Sequence, residues 1–337
     1  MSSTATKKDT RASAATCASP GGRVAACVRT DSLDVLVLAG GPGAEREVSL
    51  NSGRAVFEAL KRLGHRPVMR DVGPDDLSAL DERFDFVFVA LHGEFGEDGA
   101  LQAELDRRGL RYSGSGAAAS QRAMDKVETK RLAEAAGVST PGYEHVTTAS
   151  QAGLIGRIRP PVVVKPVASG SSVDTTIERS AEGAATAATK LVQKYGEALV
   201  ERYIRGRELT VGVLGDQALP VCEIRTHREF YDYQAKYVDN DTEYLFEIDL
   251  ARSLLQQVQS WSVRVHEALG CKVFSRVDWM VDDATLFPYL LEVNTIPGFT
   301  SHSLVPKAAA RVGIGFDRLC QRIIELSLSC PSDGCTG

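Results

Sequence analysis

Between residues 33 and 110 the chain alternates two hydrophobic patterns, and that alternation limits the possible folds more than any other feature. Val35-Leu36-Val37-Leu38-Ala39 is an unbroken apolar run ended by Gly40-Gly41. A run with no polar alternation suits a strand buried on both faces, as in a parallel sheet. A helix is expected from about Ser49, with Val56, Leu60 and Leu63 at spacings of four and three, and Gly64 as its stop. Residues 84–91 read as a second buried strand ending at His92-Gly93, and a second helix follows from about Asp98 to Gly109. Strand, helix, strand, helix is the order of an α/β layer built on a parallel sheet.

Beyond residue 110 the pattern changes. A helical stretch over 125–136 stops at Gly137, with Pro141 behind it. Val162-Val163-Val164-Lys165 is a strand that enters the loop Ala168-Ser169-Gly170-Ser171-Ser172. Further strands are expected over 199–203, 209–214 and 219–224. A polar, aromatic stretch from about 225 to 244 is too long for a tight turn and has the character of a lid or binding loop. Leu254, Val258, Trp261, Val265 and Leu269 then mark one face of a helix stopped by Gly270. The expected organisation is an N-terminal parallel-sheet α/β domain (33–110), a small central α+β domain (111–203) and a C-terminal α+β domain (204–327). Residues 1–32 and 328–337 are expected to be tails. The first is rich in Ser, Ala, Thr and Arg, with Asp9 as its only acid before Asp31. It has the composition of an organellar transit peptide but no apolar secretory core, and reads as a disordered segment outside the fold.

Composition removes several classes of function. The net charge of −5 argues against a nucleic-acid partner. No apolar run approaches the roughly 18 residues that span a bilayer. The seven cysteines contain no C-x-x-C pair, so neither a zinc site nor a disulfide framework is indicated. Cys222 and Cys271 lie in apolar surroundings and read as core residues. A soluble protein of a reducing compartment is expected: the cytoplasm, or an organelle if the tail is a transit peptide.

Candidate chemistry is concentrated near the C-terminus. Residues 272–281 read as a strand on which Arg276 and Asp278 share a face. Asp282-Asp283-Ala284-Thr285 links it to a second strand, on which Glu292 and Asn294 share a face. A hairpin about this link is expected to set Arg276 nearly opposite Glu292, with Asp278 on a near diagonal. Two carboxylates, an amide and a guanidinium then form one patch. Hard oxygen ligands of this type suit Mg²⁺ with phosphate oxygens, although a cross-strand ion pair on a solvated face has the same residues. The following segment, Thr295-Ile296-Pro297-Gly298-Phe299-Thr300-Ser301-His302-Ser303-Leu304, adds N–H and O–H donors that could hold a carboxylate or a developing oxyanion.

The run Leu290-Leu291-Glu292-Val293-Asn294-Thr295-Ile296-Pro297-Gly298 resembles the magnesium-binding signature of D-alanine–D-alanine ligases, members of the ATP-grasp superfamily. Further segments agree in order: 41–49 (Gly-Pro-Gly-Ala-Glu-Arg-Glu-Val-Ser), Leu91-His92-Gly93 with Gly96-Glu97-Asp98-Gly99, Met124-Asp125-Lys126 with Val164-Lys165-Pro166, and Tyr231-Asp232-Tyr233-Gln234-Ala235-Lys236-Tyr237. The resemblance covers about 35–326. It implies an ATP-grasp fold and ligation of two D-alanines through an acyl phosphate, for peptidoglycan precursor synthesis. Its implied ligand set for two Mg²⁺ ions, with Mn²⁺ as a substitute, is Asp278, Glu292 and Asn294. It implies that Lys126, Lys165 and Lys236 meet the ATP phosphates, and that Glu201 and Glu208 meet the adenine side or ribose hydroxyls. Glu45 is then the partner of the first D-alanine's ammonium, with Ser171 and Tyr237 orienting it and His92 nearby. Arg276 and the Gly298 N–H stabilise the tetrahedral intermediate, and Ser303 and the Leu304 N–H hold the second D-alanine's carboxylate. A homodimer is also implied.

Some positions depart from the family pattern: Pro42-Gly43 in the first turn, Gln234, the proline-free segment 246–249, and Asp174 where glycine is typical. A carboxylate facing the phosphates would repel them, so Asp174 is expected to turn outward. A D-lactate or D-serine ligase is the nearest alternative, and Lys236-Tyr237 favours D-alanine. A non-catalytic relative would be expected to have lost metal ligands. A nicotinamide dehydrogenase, suggested by Gly41-x-Gly43, lacks the third glycine, where Arg46 stands.

Overall fold

The computed structural model describes residues 32–43, 45–152, 158–170, 172–226 and 242–329. Ser171, Gln234, Lys236 and Tyr237 therefore lie outside the described residues.

Strand β1 (Asp34–Ala39) is the middle of a three-stranded parallel sheet, flanked by β2 (Arg66–Asp71) and β3 (Phe86–Val89). Its side chains alternate between two cores. Val35 and Val37 face one that includes Val56 and Leu60 of α1 (Arg46–Arg62), whereas Leu36 and Leu38 face Leu101 and Leu105 of α2 (Ala100–Arg107). Burial on both faces is the reason for the unbroken apolar run. Strand β2 has no counterpart in the sequence expectation. It is an edge strand whose Arg66, Arg70 and Asp71 are exposed, so it lacks an apolar pattern. Strand β3 is also shorter than the expected 84–91, beginning at Phe86 and ending at Val89, although the Ala90 N–H still donates to the Leu38 carbonyl of β1 at 2.8 Å.

Helix α3 (Ala117–Met124) was also not marked by periodicity, since it buries only small residues, Ala119, Ser120 and Ala123. Helix α4 (Lys126–Ala135) is capped by Asp125, whose side chain accepts from the Val127 and Glu128 N–H groups. The elements β4 (Tyr143–Val146), α5 (Ala149–Ala152), β5 (Val162–Lys165), β6 (Thr176–Glu178), α6 (Ala181–Tyr195) and β7 (Ala198–Arg202) follow. Their strands form an antiparallel sheet in the order β4-β7-β5-β6. Asp174 does turn outward: it ion-pairs with Lys194 at 2.6 Å and accepts from the Tyr195 hydroxyl, both at the end of α6.

The third sheet is antiparallel, ordered β11-β10-β8-β12-β13 with β9 beside β8. Its strands are β8 (Gly206–Leu214), β9 (Gln217–Ala218), β10 (Cys222–Arg225), β11 (Glu243–Leu245), β12 (Phe274–Asp282) and β13 (Pro288–Asn294). The strand expected over 219–224 is divided because Pro220 has no N–H for the ladder. Helix α7 (Arg252–Ala268) covers this sheet, with Val258 and Val265 packed around Trp279. The Trp279 indole donates to Ser262 at 2.9 Å, so the buried ring leaves no polar atom unpaired. Helices α8 (Leu304–Arg311) and α9 (Phe316–Ser329) return to the first sheet and close the core that contains Val35 and Val37. Cys222 and Cys271 are buried as expected, and burial pushes both thiols up to about 12. Among the described residues, no helix is long and apolar enough to cross a membrane.

One buried hydrogen-bond chain fastens the first sheet to the C-terminal segment. His92 Nδ1 lies 2.9 Å from the Ile296 carbonyl, which can only accept, so Nδ1 carries the proton. Nε2 then accepts from the Ser52 hydroxyl at 2.9 Å, and Ser52 Oγ accepts from the Phe299 N–H at 3.1 Å. Burial holds the imidazole below its ordinary pKa, which keeps this neutral tautomer in place. Ser52→Ala leaves a buried N–H and a ring nitrogen unpaired and should cost about 1–3 kcal/mol. A urea midpoint equal to that of the parent chain would show that the bonds are not limiting.

A second buried histidine gives a pH prediction. His266 is 3% exposed, bonds Ser275 Oγ at 2.7 Å, and is driven by burial from 6.5 down to about 4. The unfolded chain therefore takes up a proton that the folded chain refuses between these values. Stability is full above pH 6.5 and falls as pH drops toward 4, by roughly 3 kcal/mol from this residue. Denaturant titrations across that range should show a shallower fall for His266→Gln than for the parent. Parallel curves would refute the assignment.

Candidate active site

Strand β12 pairs with β8 on one side and β13 on the other, and this double pairing builds the site. Asp278 is opposite Glu292 of β13 and Thr210 of β8, while Arg276 is opposite Asn294. The expected register, with Arg276 near Glu292, is thus corrected. The connection between the strands is longer than the expected link, and a bulge on β13 beside Asp278 and Trp279 adds another residue. The same four side chains are gathered, with the carboxylates directly paired across the strands. Asp278 is 5% exposed and accepts from Thr210 Oγ1 at 2.6 Å, Arg276 at 2.9 and 2.7 Å, and Asn294 Nδ2 at 3.1 Å.

Among the described residues, no three His, Cys, Asp or Glu side chains come together as a metal cage. Asp278 and Glu292 do fit the two carboxylates with which Mg²⁺ is commonly held, provided that an amide, water or phosphate oxygens complete its shell.

Beside this patch a cleft opens between the second and third sheets. Val163, Ile177, Met280 and Leu291 are among its apolar lining residues, and Lys126, Lys165, Glu208 and Glu292 bring charge to it. Lys126 donates to the Ser169 carbonyl and lies 3.9 Å from Glu292. Apolar walls with lysines beside them suit a planar base joined to an anionic tail. Glu201 also lines the cleft, but its carboxylate is only 3% exposed and is held by two cations, Lys130 and, at 2.6 Å, Lys165. Burial alone would raise its pKa, yet the two lysines outweigh that and hold it below the ordinary carboxylate range. Lys130 falls to about 8, mainly through burial and against the pull of Glu201. Glu201 is thus the shared counter-ion of two lysines in the wall of the cleft that it lines.

On the far side of the patch, Glu45 sits at the N-cap of α1 and extends toward Gly93 and Gly170. A Cβ at Gly93, where φ is +72°, would stand 2.5 Å from Glu45 Oε2. Only glycine combines that backbone angle with that approach. His92 feels the Glu45 and Arg276 charges, so it lies in this region, but both its ring nitrogens are engaged in fastening the fold. Glu97 accepts from the Gly93 N–H at 3.0 Å. Burial, reinforced by the Glu45 charge, pushes its carboxyl up to about 8. Ser303 is the N-cap residue of α8, with its Oγ accepting from the Thr300 N–H at 3.0 Å and 3.4 Å from where a Gly298 Cβ would stand. Leu304 opens that helix, and the first N–H groups of a helix are natural partners for a carboxylate.

Sequence reasoning missed Lys130, Thr210 and the chemical state of Glu97. Lys130 is one helical turn after Lys126, a spacing that on sequence alone looks like a solvated basic face. Thr210 has no motif, and only its pairing with Asp278 reveals it.

Comparison with known proteins agrees with this geometry. The family described as D-ala D-ala ligase C-terminus matches residues 132–325. The D-alanine–D-alanine ligase of Syntrophotalea carbinolica is 42% identical over 292 residues, covering 86% of this chain and 94% of that protein. The structure of D-alanine–D-alanine ligase from Bacillus anthracis complexed with ATP superposes with a TM-score of 0.74 at 30% identity, covering 88% of this chain and 98% of that one. The VanG D-Ala:D-Ser ligase from Enterococcus faecalis gives a TM-score of 0.76 at 28% identity, covering 88% and 100%. With an ATP-grasp architecture and these relatives over most of its length, the chain belongs to the D-alanine–D-alanine ligase family.

Proposed function

We propose that this chain joins two D-alanines at the expense of ATP, giving D-alanyl-D-alanine, ADP and phosphate for peptidoglycan precursors. The observation that carries the reading is the position of the Arg276–Asp278–Glu292–Asn294 patch, between a lysine-bearing apolar cleft and a region bearing Glu45 and the N-terminus of α8.

A carboxylate is a poor electrophile, so the reaction first transfers the γ-phosphoryl group of ATP to the carboxylate of the first D-alanine. The amine of the second then attacks the acyl carbon and expels phosphate. Catalysis of this kind depends on positioning and charge neutralisation. Lys126 and Lys165 neutralise the nucleotide phosphates, and Glu208 accepts from ribose hydroxyls. Glu45 pairs with the ammonium of the first D-alanine. Arg276 and the Gly298 N–H receive the oxyanion of the tetrahedral intermediate. Ser303 and the Leu304 N–H orient the second carboxylate. Asp278, Glu292 and Asn294 are the residues that hold Mg²⁺, which when bound neutralises charge on the phosphates. The roles of Ser171, Lys236 and Tyr237 rest on the resemblance alone, as does a homodimer.

Phosphate release from ATP and Mg²⁺ should require D-alanine and yield a dipeptide mass, with L-alanine inert. A depsipeptide or D-alanyl-D-serine as the preferred product would move the chain to a variant ligase. Glu292→Gln should lower kcat on the order of 10²-fold while the fold is retained. Gly93→Ala, by displacing Glu45, should raise KM for D-alanine roughly tenfold or more with KM for ATP little changed. A Gly93→Ala enzyme with unaltered D-alanine kinetics would remove Glu45 from the substrate site.

A further inference from the structure

Lys130 is the fully buried member of a charge triad behind the cleft, and the ligation mechanism makes no use of it. It is 0% exposed on α4, where its ammonium pairs with Glu201 Oε1, lies 3.3 Å from Thr140 Oγ1 and stands 5.3 Å from the Tyr143 ring centre. The other carboxylate oxygen of Glu201 is 2.6 Å from Lys165, whose side chain is 11% exposed and lines the cleft. Two cations thus share one anion, and the buried triad carries a net charge of +1.

Stability alone does not explain a second lysine. Burying an ion pair costs desolvation that mutual attraction seldom exceeds, and apolar replacements are often as stable. Like charges at both ends of one carboxylate add repulsion to that cost. The arrangement does alter what the cleft presents. If Glu201 had only Lys165 for a partner, the two would form a neutral pair and the ammonium would offer little to an incoming anion. With Lys130 neutralising Glu201 from behind, the positive charge at Lys165 is left uncompensated on the side that faces the cleft.

We propose that Lys130 is a positioning residue for nucleotide binding, which neutralises Glu201 and so makes the charge of Lys165 available to the ATP phosphates. The proposal rests on the reading that this cleft takes the nucleotide. It concerns Glu201 as the counter-ion of Lys165, a role compatible with its place in the cleft lining.

The test compares Lys130→Met, Lys130→Met/Glu201→Gln and Lys165→Met in the full chain, using calorimetric Kd values for ATP and for adenosine and a thermal melt. Lys130→Met should weaken ATP roughly ten- to hundredfold. Adenosine, which has no phosphates, should change by less than about twofold, because the deficit is one of charge at the phosphate end. The double variant removes the anion with its neutraliser and should recover ATP affinity to within about threefold of the parent. A double variant that binds ATP no better than Lys130→Met would overturn the proposal, since Lys130 would then act by packing or by direct contact. Equal losses of ATP and adenosine would overturn it as well. Where Lys130→Met does not fold, the double variant still decides: it contains no buried unpaired carboxylate, and a tenfold loss of ATP affinity in it refutes the neutralising role. Lys165→Met with undiminished ATP binding would instead remove the nucleotide from this cleft, and the proposal would fall with that reading.

Discussion

The register of β12 between β8 and β13 is the constraint on which the rest of the site depends. It sets Asp278 against Thr210 on one side and Glu292 on the other, so that two carboxylates face each other across adjacent strands. Side chains on a strand alternate faces, and a one-residue slip would send Asp278 into the core and bring Val277 or Trp279 to the surface. That slip is prevented by the apolar residues between the site residues. Val277, Trp279 and Val281 are fully buried against α7, and the indole hydrogen bond to Ser262 fixes Trp279 further. The position of the chemistry is therefore a consequence of core packing on the opposite face.

Charge around this patch is managed through shared counter-ions. Asp278 is held by Arg276, Asn294 and Thr210, and Glu201 is held by Lys130 and Lys165. Glu97 differs: it lies close to Glu45 and Glu292, and burial with like charges keeps its proton on. Lys126 and Lys165 thus lie on the cleft side of the patch, among carboxylates of the same lining, and Glu45 and Glu97 lie on the other side. The glycines at 93 and 170 allow Glu45 to approach its neighbours, and the Ser52–His92–Ile296 chain keeps the Gly298 turn in register with the first sheet.

Where burial is two-sided or strongly periodic, the sequence was readable. The unbroken run 35–39, the helix faces of α1 and α7, and the Gly64 and Gly270 stops all appear in the structure where they were expected. Elements with a polar or small-residue surface were not readable. Strand β2 is an edge of Arg, Met and Asp, and α3 packs through alanines, so neither produces a hydrophobic signal. The outward turn of Asp174 followed from charge alone and is seen in its bonds to Lys194 and Tyr195.

By itself the sequence determined the class of fold and which side chains share a face of β12 and of β13, because residue type and face periodicity are local properties. It did not determine partners. The pairing of Asp278 with Glu292 depends on a bulge and a loop length, and the pairing of Glu201 with two lysines depends on Lys130 reaching it from α4. His92 carries the same lesson, since its tautomer is set by a carbonyl more than two hundred residues away. These are long-range contacts between groups with no common sequence spacing, and only the packed tertiary structure brings them within hydrogen-bond distance.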